Sequence, residues 1–453
     1  MSFADRVDHG DRGDRWLRTP KGEPALRLVI AVEGLGFETL NCEVDDGESS
    51  VEGFNAFCAE SVRFTHAFAP STMSQATMAS LLTGLYPVDH QVRNNGGDFL
   101  SARYKTLAEV ALSRKYRTFF VSGGPPIWRK SGLAQGFEIF DDNMEIEPGI
   151  YYRPAEEVFR QLMQWIDRDL GGQSFMAAAF LADLQFPEIM TRTSDGVIRE
   201  KSAQGQLEEI GESLGGLVRF LKARKRWNST NVVLVGLNSL SRFPTDEDPL
   251  PLSLRSDSVQ VSLFIKPARK ERDNPFQWTV DRDVSLVDVG HTMFHWLGGD
   301  APSASLSQVQ PRSLASALNK PEPNWKEDRL ILTETAWPDW LEGGGVRWAI
   351  RQNQFLYIHD KRPLIFNTLT DRMESLPLRT NDPLWLSLNG DVMALIQRAQ
   401  TLRSKECSHI GLSVWRWPAS FGRSAGLRES PAARSLGPAG ICGRPWRSAI
   451  GAR

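Results

Sequence analysis

Hydroxyl side chains concentrate in one stretch of the chain, where their spacing indicates the start of a helix. Ser71, Thr72 and Ser74 lie just before the run at 76–83, AlaThrMetAlaSerLeuLeuThr. A helix N-terminus presents unpaired N–H groups and the positive end of the helix dipole, which suits an oxyanion. The same hydroxyls also suit ordinary helix capping. A catalytic and a structural interpretation are therefore both open for this stretch.

One carboxylate occupies a comparable position at the end of a predicted strand. Glu33 follows the apolar run at 26–32, LeuArgLeuValIleAlaVal, and glycines come directly after it. Many α/β enzymes place a ligand group in this way, at the carboxyl edge of a sheet. Glu33 could equally cap a turn, and the residues alone leave both interpretations open.

The elements that would position these groups alternate between strand and helix. Through about residue 300 the predicted strands lie at 26–32, 118–122, 231–238 and 258–265, and the predicted helices at 104–115, 153–170, 203–225 and 285–297. This alternation predicts an α/β fold, with a mostly parallel central sheet sandwiched by helices.

The C-terminal third of the chain has a different pattern. Short strands and turns at 329–336 and 345–366 predict a small antiparallel α+β subdomain. From about residue 406 the composition shifts to Arg, Gly, Ser, Pro, Ala and Trp without a period, which favours an unpacked tail. The predicted organisation is a flexible leader, an α/β domain, a C-terminal subdomain and this tail, at 1–24, 25–320, 321–405 and 406–453.

Composition narrows the classes of partner. Lys plus Arg is 53 and Asp plus Glu is 55 among 453 residues, so no basic field indicates nucleic acid. The longest apolar run, at 175–182, is far shorter than the roughly 20 residues that span a bilayer. The charged leader lacks the apolar core of a signal peptide. We therefore expect a cytoplasmic protein without a membrane span or a nucleic-acid partner.

Cysteine and histidine spacing adds little chemistry. Four cysteines without a CxxC pair indicate neither a zinc site nor a disulfide framework. His291 and His295 are four residues apart, the spacing of two metal ligands on a helix, but no third ligand accompanies them. Packing is the favoured role of that helix.

The order of the segments resembles the sulfatase family of the alkaline-phosphatase superfamily. The strand and turn at 26–36 resemble that family's first strand and metal-ligand turn, and 54–70 resembles the helix and strand before its nucleophile. The run at 74–84, SerGlnAlaThrMetAlaSerLeuLeuThrGly, resembles the signature C/S-x-P-S-R-x-x-L-x-T-G. Further similar segments follow in the family's order, and the resemblance covers about residues 25 to 380. It implies the family's fold.

The resemblance also implies an active site. Sulfatases use a divalent metal, usually calcium, and a hydrated formylglycine made from the signature Cys or Ser. The resemblance places Ser74 at the nucleophile position and Thr77 at the signature's Ser position, with Glu33 and Asn238 as surviving metal ligands. His90 is one of the histidines nearest to Ser74 in sequence, and so it is a candidate base.

Several family positions carry other residues in this chain. The signature proline is Ala76, and the arginine that would hold the nucleophile is Met78. The second acid after the first strand is Gly34, the acid after the strand at 231–237 is neutral Asn238, and the histidine of an Asp-Pro-His segment is Gln185. A hard divalent cation needs several oxygen ligands with carboxylates among them. The expected set of metal ligands is therefore incomplete in this chain.

Two functions follow from this comparison. The first is a sulfatase-like binding protein with a degraded site and little or no catalysis, in which a metal is not required. The second is an active sulfuric or phosphoric ester hydrolase that uses Ser74 and Ca²⁺, Mg²⁺ or Mn²⁺. Such enzymes lower the barrier by about 8 kcal/mol or more, while one oxyanion donor supplies roughly 3–4 kcal/mol. The ligand in either case would be a sulfate- or phosphate-ester small molecule or glycan, and no protein partner is indicated.

Overall fold

The computed structural model describes most of the chain between residues 26 and 378. The described ranges are 26–40, 52–144, 152–168, 173–185, 190–192, 198–200, 202–239, 253–269, 277–303, 309–320, 329–336, 346–359 and 363–378, with isolated positions at 323, 325 and between 381 and 397. The chain divides into two compact units, 1–392 and 393–453, and all elements below belong to the first. The predicted leader at 1–24 and tail at 406–453 lie outside the described residues, and the predicted domain boundaries stay predictions.

Strands and helices alternate along the described chain. In chain order the strands are β1 (Leu26–Val32), β2 (Val62–Phe64), β3 (Ala67–Phe68), β4 (Arg117–Ser122), β5 (Ile139–Asp141), β6 (Phe175–Leu181), β7 (Met190–Arg192), β8 (Ile198–Glu200), β9 (Thr230–Gly236), β10 (Leu263–Lys266), β11 (Trp278–Val280), β12 (Val284–Ser285), β13 (Leu330–Thr335), β14 (Arg347–Gln352), β15 (Phe355–His359) and β16 (Leu364–Asn367). The α-helices are α1 (Glu52–Cys58), α2 (Ser74–Thr83), α3 (Pro87–His90), α4 (Leu107–Ser113), α5 (Ala155–Arg168), α6 (Ala203–Ala223), α7 (Ser256–Val259) and α8 (Leu286–Trp296).

Eight strands form one central sheet. Their order is β11-β2-β10-β9-β1-β6-β4-β5. The five strands from β9 to β5 are parallel, and β10 is antiparallel to both of its neighbours. All seven residues of β1, β6 and β9 are buried, as expected for parallel strands covered by helices on both faces. The predicted α/β fold with a mostly parallel central sheet is confirmed.

Helices cover both faces of this sheet, and on each face a hydrophobic core lies between the helices and the strands. On one face α2, α4 and α8 pack with Val29, Met78 and Phe120 among the buried residues. On the other face α1, α5 and α6 pack with Leu28, Phe54 and others. The backbones of α1 and α6 touch, because a Cβ on Gly53 would lie 1.7 Å from the carbonyl oxygen of Gly211.

A second sheet follows the central one in sequence. Strands β13, β14, β15 and β16 pair in chain order, and every pairing is antiparallel. This confirms the antiparallel character predicted for 329–336 and 345–366. Strand β13 of this sheet lies beside residues 69–72, the segment that precedes α2.

Two expectations from the sequence are corrected. The segment 258–265 is not one strand, since α7 (Ser256–Val259) precedes a shorter β10. The carboxylate of Glu374 binds the N–H and hydroxyl of Ser256, and this distant partner stabilises a helical turn that local propensity does not reveal. Cys58 is disulfide-bonded, whereas cysteine spacing had indicated no disulfide framework.

Within the described ranges, no helix combines the length and the apolar character that crossing a membrane requires.

Candidate functional site

Strand register brings two candidate residues to the same edge of the central sheet. In β1, Val32 lies opposite Leu181 of β6 on one side and Gly236 of β9 on the other. Because the three strands are parallel, the residues that follow them meet at the carboxyl edge. Glu33 follows β1, and Asn238 comes shortly after β9. The sheet therefore accounts for their proximity.

The turn before α2 places Ser74 at the same edge. Met73 precedes the helix in extended conformation, and its N–H donates to the Ser71 hydroxyl at 3.1 Å. In the first turn of α2, the Gln75 N–H donates to the Asn95 side-chain oxygen at 3.0 Å. Asn95, in a loop 20 residues away in sequence, thus accepts one of the backbone N–H groups at the helix N-terminus. The Ser74 hydroxyl does not take part in this contact.

Glu33, Ser74 and Asn238 form a closed hydrogen-bonded cluster, called the triad below. The Ser74 hydroxyl donates to Glu33 Oε1 at 2.5 Å, and the Asn238 amide Nδ2 donates to the same oxygen at 3.0 Å. Asn238 Nδ2 also lies 3.1 Å from the Thr72 carbonyl oxygen and 3.3 Å from Ser74 Oγ. Its Oδ1 accepts from the Gly34 N–H at 2.9 Å. The triad therefore ties β1, β9 and the turn before α2 together.

Burial dominates the electrostatics of the triad. The exposed fractions of Glu33, Ser74 and Asn238 are 3%, 0% and 2%. Burial raises the pKa of Glu33, and the hydrogen bonds from Ser74 and Asn238 oppose that rise only partly. Within the described residues Glu33 Oε2 has no hydrogen-bond partner. The carboxyl group is thus held in a dry environment that favours its neutral form.

The structure places Thr77 and His90 away from the triad's hydrogen bonds. Thr77 Oγ1 donates to the Ser71 carbonyl oxygen at 2.9 Å. His90 accepts from the Val92 N–H through Nδ1, and its Nε2 lies 2.9 Å from the Ser80 hydroxyl. Burial, aided by the charge of Arg93, lowers the pKa of His90 to about 3. Both residues remain predictions as catalytic groups, and the contacts shown here are structural.

The residues that replace the signature's proline and arginine lie in the core. Ala76 and Met78 are fully buried, and Met78 belongs to the hydrophobic cluster between the sheet and α8. Asp183, in the segment that resembles Asp-Pro-His, accepts the Ala155 N–H at 2.9 Å and so caps the start of α5. These positions serve packing and capping.

One buried carboxylate near this turn was missed by the sequence reading. Glu334 of β13 is 1% exposed, and its N–H donates to the Pro70 carbonyl oxygen at 3.0 Å. Arg93 Nε lies 2.9 Å from its Oε1. Only the pairing of β13 with residues 69–72 reveals the neighbours of Glu334.

The triad supplies few of the ligands needed by the divalent metal that the resemblance implies. Among the described residues, no group of three or more His, Cys, Asp and Glu side chains could hold a metal ion. The triad supplies one carboxylate, whose Oε1 already accepts two hydrogen bonds. Calcium takes six to eight oxygen ligands, and magnesium needs near-octahedral geometry. The described donor set therefore does not fit either ion.

The family model described as Sulfatase matches residues 27–299. No curated protein gives a significant sequence match. Among solved structures, the phosphonate monoester hydrolase of Agrobacterium radiobacter is similar with a TM-score of 0.61 at 17% identity, covering 83% of this chain and 96% of that one.

Two further solved structures agree with this fold. The phosphonate monoester hydrolase SpPMH from Silicibacter pomeroyi has a TM-score of 0.57 at 14% identity, covering 84% of this chain and 95% of that one. A structure described in complex with its substrate D-glucosamine-2-N,6-O-disulfate has a TM-score of 0.62 at 12% identity, covering 84% and 98%. At these identities the similarity establishes the shared architecture.

Proposed function

The chain belongs to the sulfatase family, and from that premise we propose that it is a non-catalytic or weakly active binding member. In this proposal the position of the metal and nucleophile site is filled by a hydrogen-bonded cluster of the protein's own side chains. The ligand class is a sulfate- or phosphate-ester small molecule or glycan. It follows from the family and from similar structures whose descriptions name a disulfated glucosamine and phosphonate monoester hydrolysis.

The observation that carries the proposal is the 2.5 Å hydrogen bond from Ser74 to Glu33. A family member that uses a metal needs the carboxylate at this edge as an anionic ligand. Here its Oε1 accepts from Ser74 and Asn238, while burial raises its pKa and so disfavours the charge that a cation would need. The Ser74 hydroxyl and the Glu33 carboxylate are therefore hydrogen-bonded to each other.

The energetic requirement for turnover supports the same conclusion. Ester hydrolysis requires a barrier reduction of about 8 kcal/mol or more. One preorganised donor, such as the amide of Asn238, supplies roughly 3–4 kcal/mol. The positions of the family's supporting arginine and second acid hold Met78 and Gly34, which offer neither charge nor proton. The remaining groups therefore fall short of efficient catalysis.

Calorimetry tests the loss of the metal site. Wild type and Glu33→Gln are titrated with calcium, magnesium and manganese, and Glu138→Gln serves as a control because Glu138 pairs with Arg117 at the outer edge of the sheet. We expect the heat of metal titration to be the same in wild type and in Glu33→Gln, because Glu33 does not bind the metal. Binding that is present in wild type and Glu138→Gln but absent in Glu33→Gln would overturn the proposal.

The same short contact also favours a second candidate, an ester hydrolase that works through Ser74. Burial makes Glu33 a stronger base than an ordinary carboxylate. Glu33 would take the Ser74 proton as Oγ bonds to the sulfur or phosphorus of the substrate. The bond to the leaving alcohol would break, and that alcohol would receive the proton. Water would then hydrolyse the Ser74 ester.

Turnover assays separate the two candidates. Aryl sulfate and phosphodiester hydrolysis are measured for wild type, Ser74→Ala and Ser80→Ala. Ser80 lies on the same helix and bonds His90, so its removal leaves the triad intact. The binding proposal predicts the same background rate for all three proteins. Hydrolysis that Ser74→Ala abolishes and Ser80→Ala retains would establish the hydrolase.

A further inference from the structure

A three-residue segment of β13 fastens the antiparallel sheet to the turn before α2. Thr333 Oγ1 donates to the Ala69 carbonyl oxygen at 3.0 Å, and the Glu334 N–H donates to the Pro70 carbonyl oxygen at 3.0 Å. The hydroxyls of Thr335 and Thr72 lie 2.6 Å apart. This turn leads directly into Ser74, so the contacts of β13 lie within five residues of the triad.

The middle residue of this segment is a buried acid with one cationic partner. Glu334 is 1% exposed, and Arg93 Nε lies 2.9 Å from its Oε1. Over the part of the chain that the structure describes, the two carboxylate oxygens of Glu334 have no well-directed hydrogen bond. The same holds for the Nε of Arg93. The contact is therefore an ion pair of poor geometry. Such a buried pair does not recover its full desolvation cost.

The other charges around Glu334 are mostly negative. Asp89 of α3 and Asp98 of the following loop act on it together with Arg93. Across the sheet it faces the uncharged Trp348 of β14, and the turn at 70–73 contains no ionisable side chain. Burial raises the pKa of Glu334 to about 7; Arg93 opposes the rise, while the two aspartates add to it.

We propose that Glu334 is a pH-operated latch between β13 and the turn at 69–72: its neutral form keeps the junction closed, and loss of its proton loosens the junction because Arg93 compensates the buried charge only in part. The closed junction binds this proton more tightly than an open junction, in which the side chain is hydrated and has its ordinary pKa of 4.5. Linkage then requires that rising pH favours the open form between these two values. The full shift is roughly 300-fold in the opening equilibrium, at tenfold per pKa unit.

The latch is independent of the function proposed above, since it rests on the junction alone. Its consequence for the site is steric. In the closed form Ser74 is fully buried, and separation of β13 from residues 69–72 would expose the turn that carries it. Neutral to alkaline conditions would therefore admit solvent or a ligand to a site that acid conditions keep shut.

Hydrogen exchange of the full chain tests the latch. Exchange of amides in 69–72 and 330–335 is measured from pH 5 to pH 8 and corrected for the intrinsic dependence of exchange on pH. The two pKa values predict that opening increases by roughly 70-fold over this range in wild type. Glu334→Gln, which cannot ionise, should remove the increase. Glu138→Gln, the same substitution in an ion pair with Arg117, should retain it.

A second variant keeps the test decisive if Glu334→Gln does not fold. Arg93 lowers the pKa of Glu334, so Arg93→Gln should move the midpoint of the opening transition to higher pH. A wild type without pH-dependent opening would overturn the latch. So would a folded Glu334→Gln protein with wild-type behaviour, or an Arg93→Gln midpoint that stays in place or falls.

Discussion

Removal of the Ser74 hydroxyl should destabilise the protein, and this separates a structural triad from a working active site. In Ser74→Ala, Glu33 Oε1 loses its closest donor, at 2.5 Å, and keeps only the Asn238 amide at 3.0 Å. Hydrogen bonds to a charged group are worth about 1.5–3 kcal/mol and those between neutral groups about 1 kcal/mol. Since burial favours the neutral carboxyl group, we expect a loss of about 1–2 kcal/mol in unfolding free energy.

A double-mutant cycle assigns this loss to the pair. Asn238→Ala removes the donor to Glu33 and the acceptor for the Gly34 N–H, so it should cost about 2–4 kcal/mol. The effects of Ser74→Ala and Asn238→Ala should be non-additive by about 0.5–1.5 kcal/mol, because both side chains donate to one oxygen. The unfolding free energies of wild type, the two single variants and the double variant are measured by urea-induced unfolding, followed by fluorescence and circular dichroism.

Thr83→Val is the matched control for this cycle. Thr83 is a fully buried hydroxyl on the same helix and donates to the Ala79 carbonyl oxygen at 2.7 Å. Its replacement should cost about 1 kcal/mol and should be additive with Asn238→Ala. Active sites commonly hold groups at the expense of stability, so that removing them stabilises the fold. A Ser74→Ala protein as stable as wild type, or more so, would refute the structural interpretation of the triad.

Three further outcomes follow from buried contacts. Asp288→Asn should lower unfolding free energy by about 3–5 kcal/mol, because the bidentate partner Arg329 remains buried with its charge; a urea-unfolding loss below 1 kcal/mol would contradict this. His90, with its pKa lowered to about 3, should show no protonation between pH 5 and 8 in an NMR titration, and a midpoint near 6.5 would be contrary evidence. Gly53→Ala should cost about 2 kcal/mol or more through its clash with Gly211, and unchanged thermal unfolding would exclude that packing.

The fold was largely accessible from the sequence because its signals are local. The apolar run of β1 and the long amphipathic α6 each show their period within one segment, and alternation of such segments predicts parallel pairing. The strand predicted at 258–265 failed for the opposite reason. A carboxylate from Glu374, more than a hundred residues away, stabilises the helical turn at its start.

The candidate site was predictable in its members and not in its contacts. Glu33 and Ser74 could be singled out because one ends a strand and the other begins a helix. Their direct hydrogen bond depends on how far α2 lies from the sheet edge, which no local pattern encodes. Glu334 was overlooked because its burial and its partner Arg93 arise from the pairing of β13 with a turn over 250 residues earlier.

A crystal structure grown in calcium with an aryl sulfate tests the central claim most directly. The account predicts an unmodified Ser74 whose hydroxyl donates to Glu33, with Asn238 on the same carboxylate oxygen, as in the structure described here. Calcium coordinated by Glu33 and Asn238, or sulfate bonded to the residue at position 74, would contradict it.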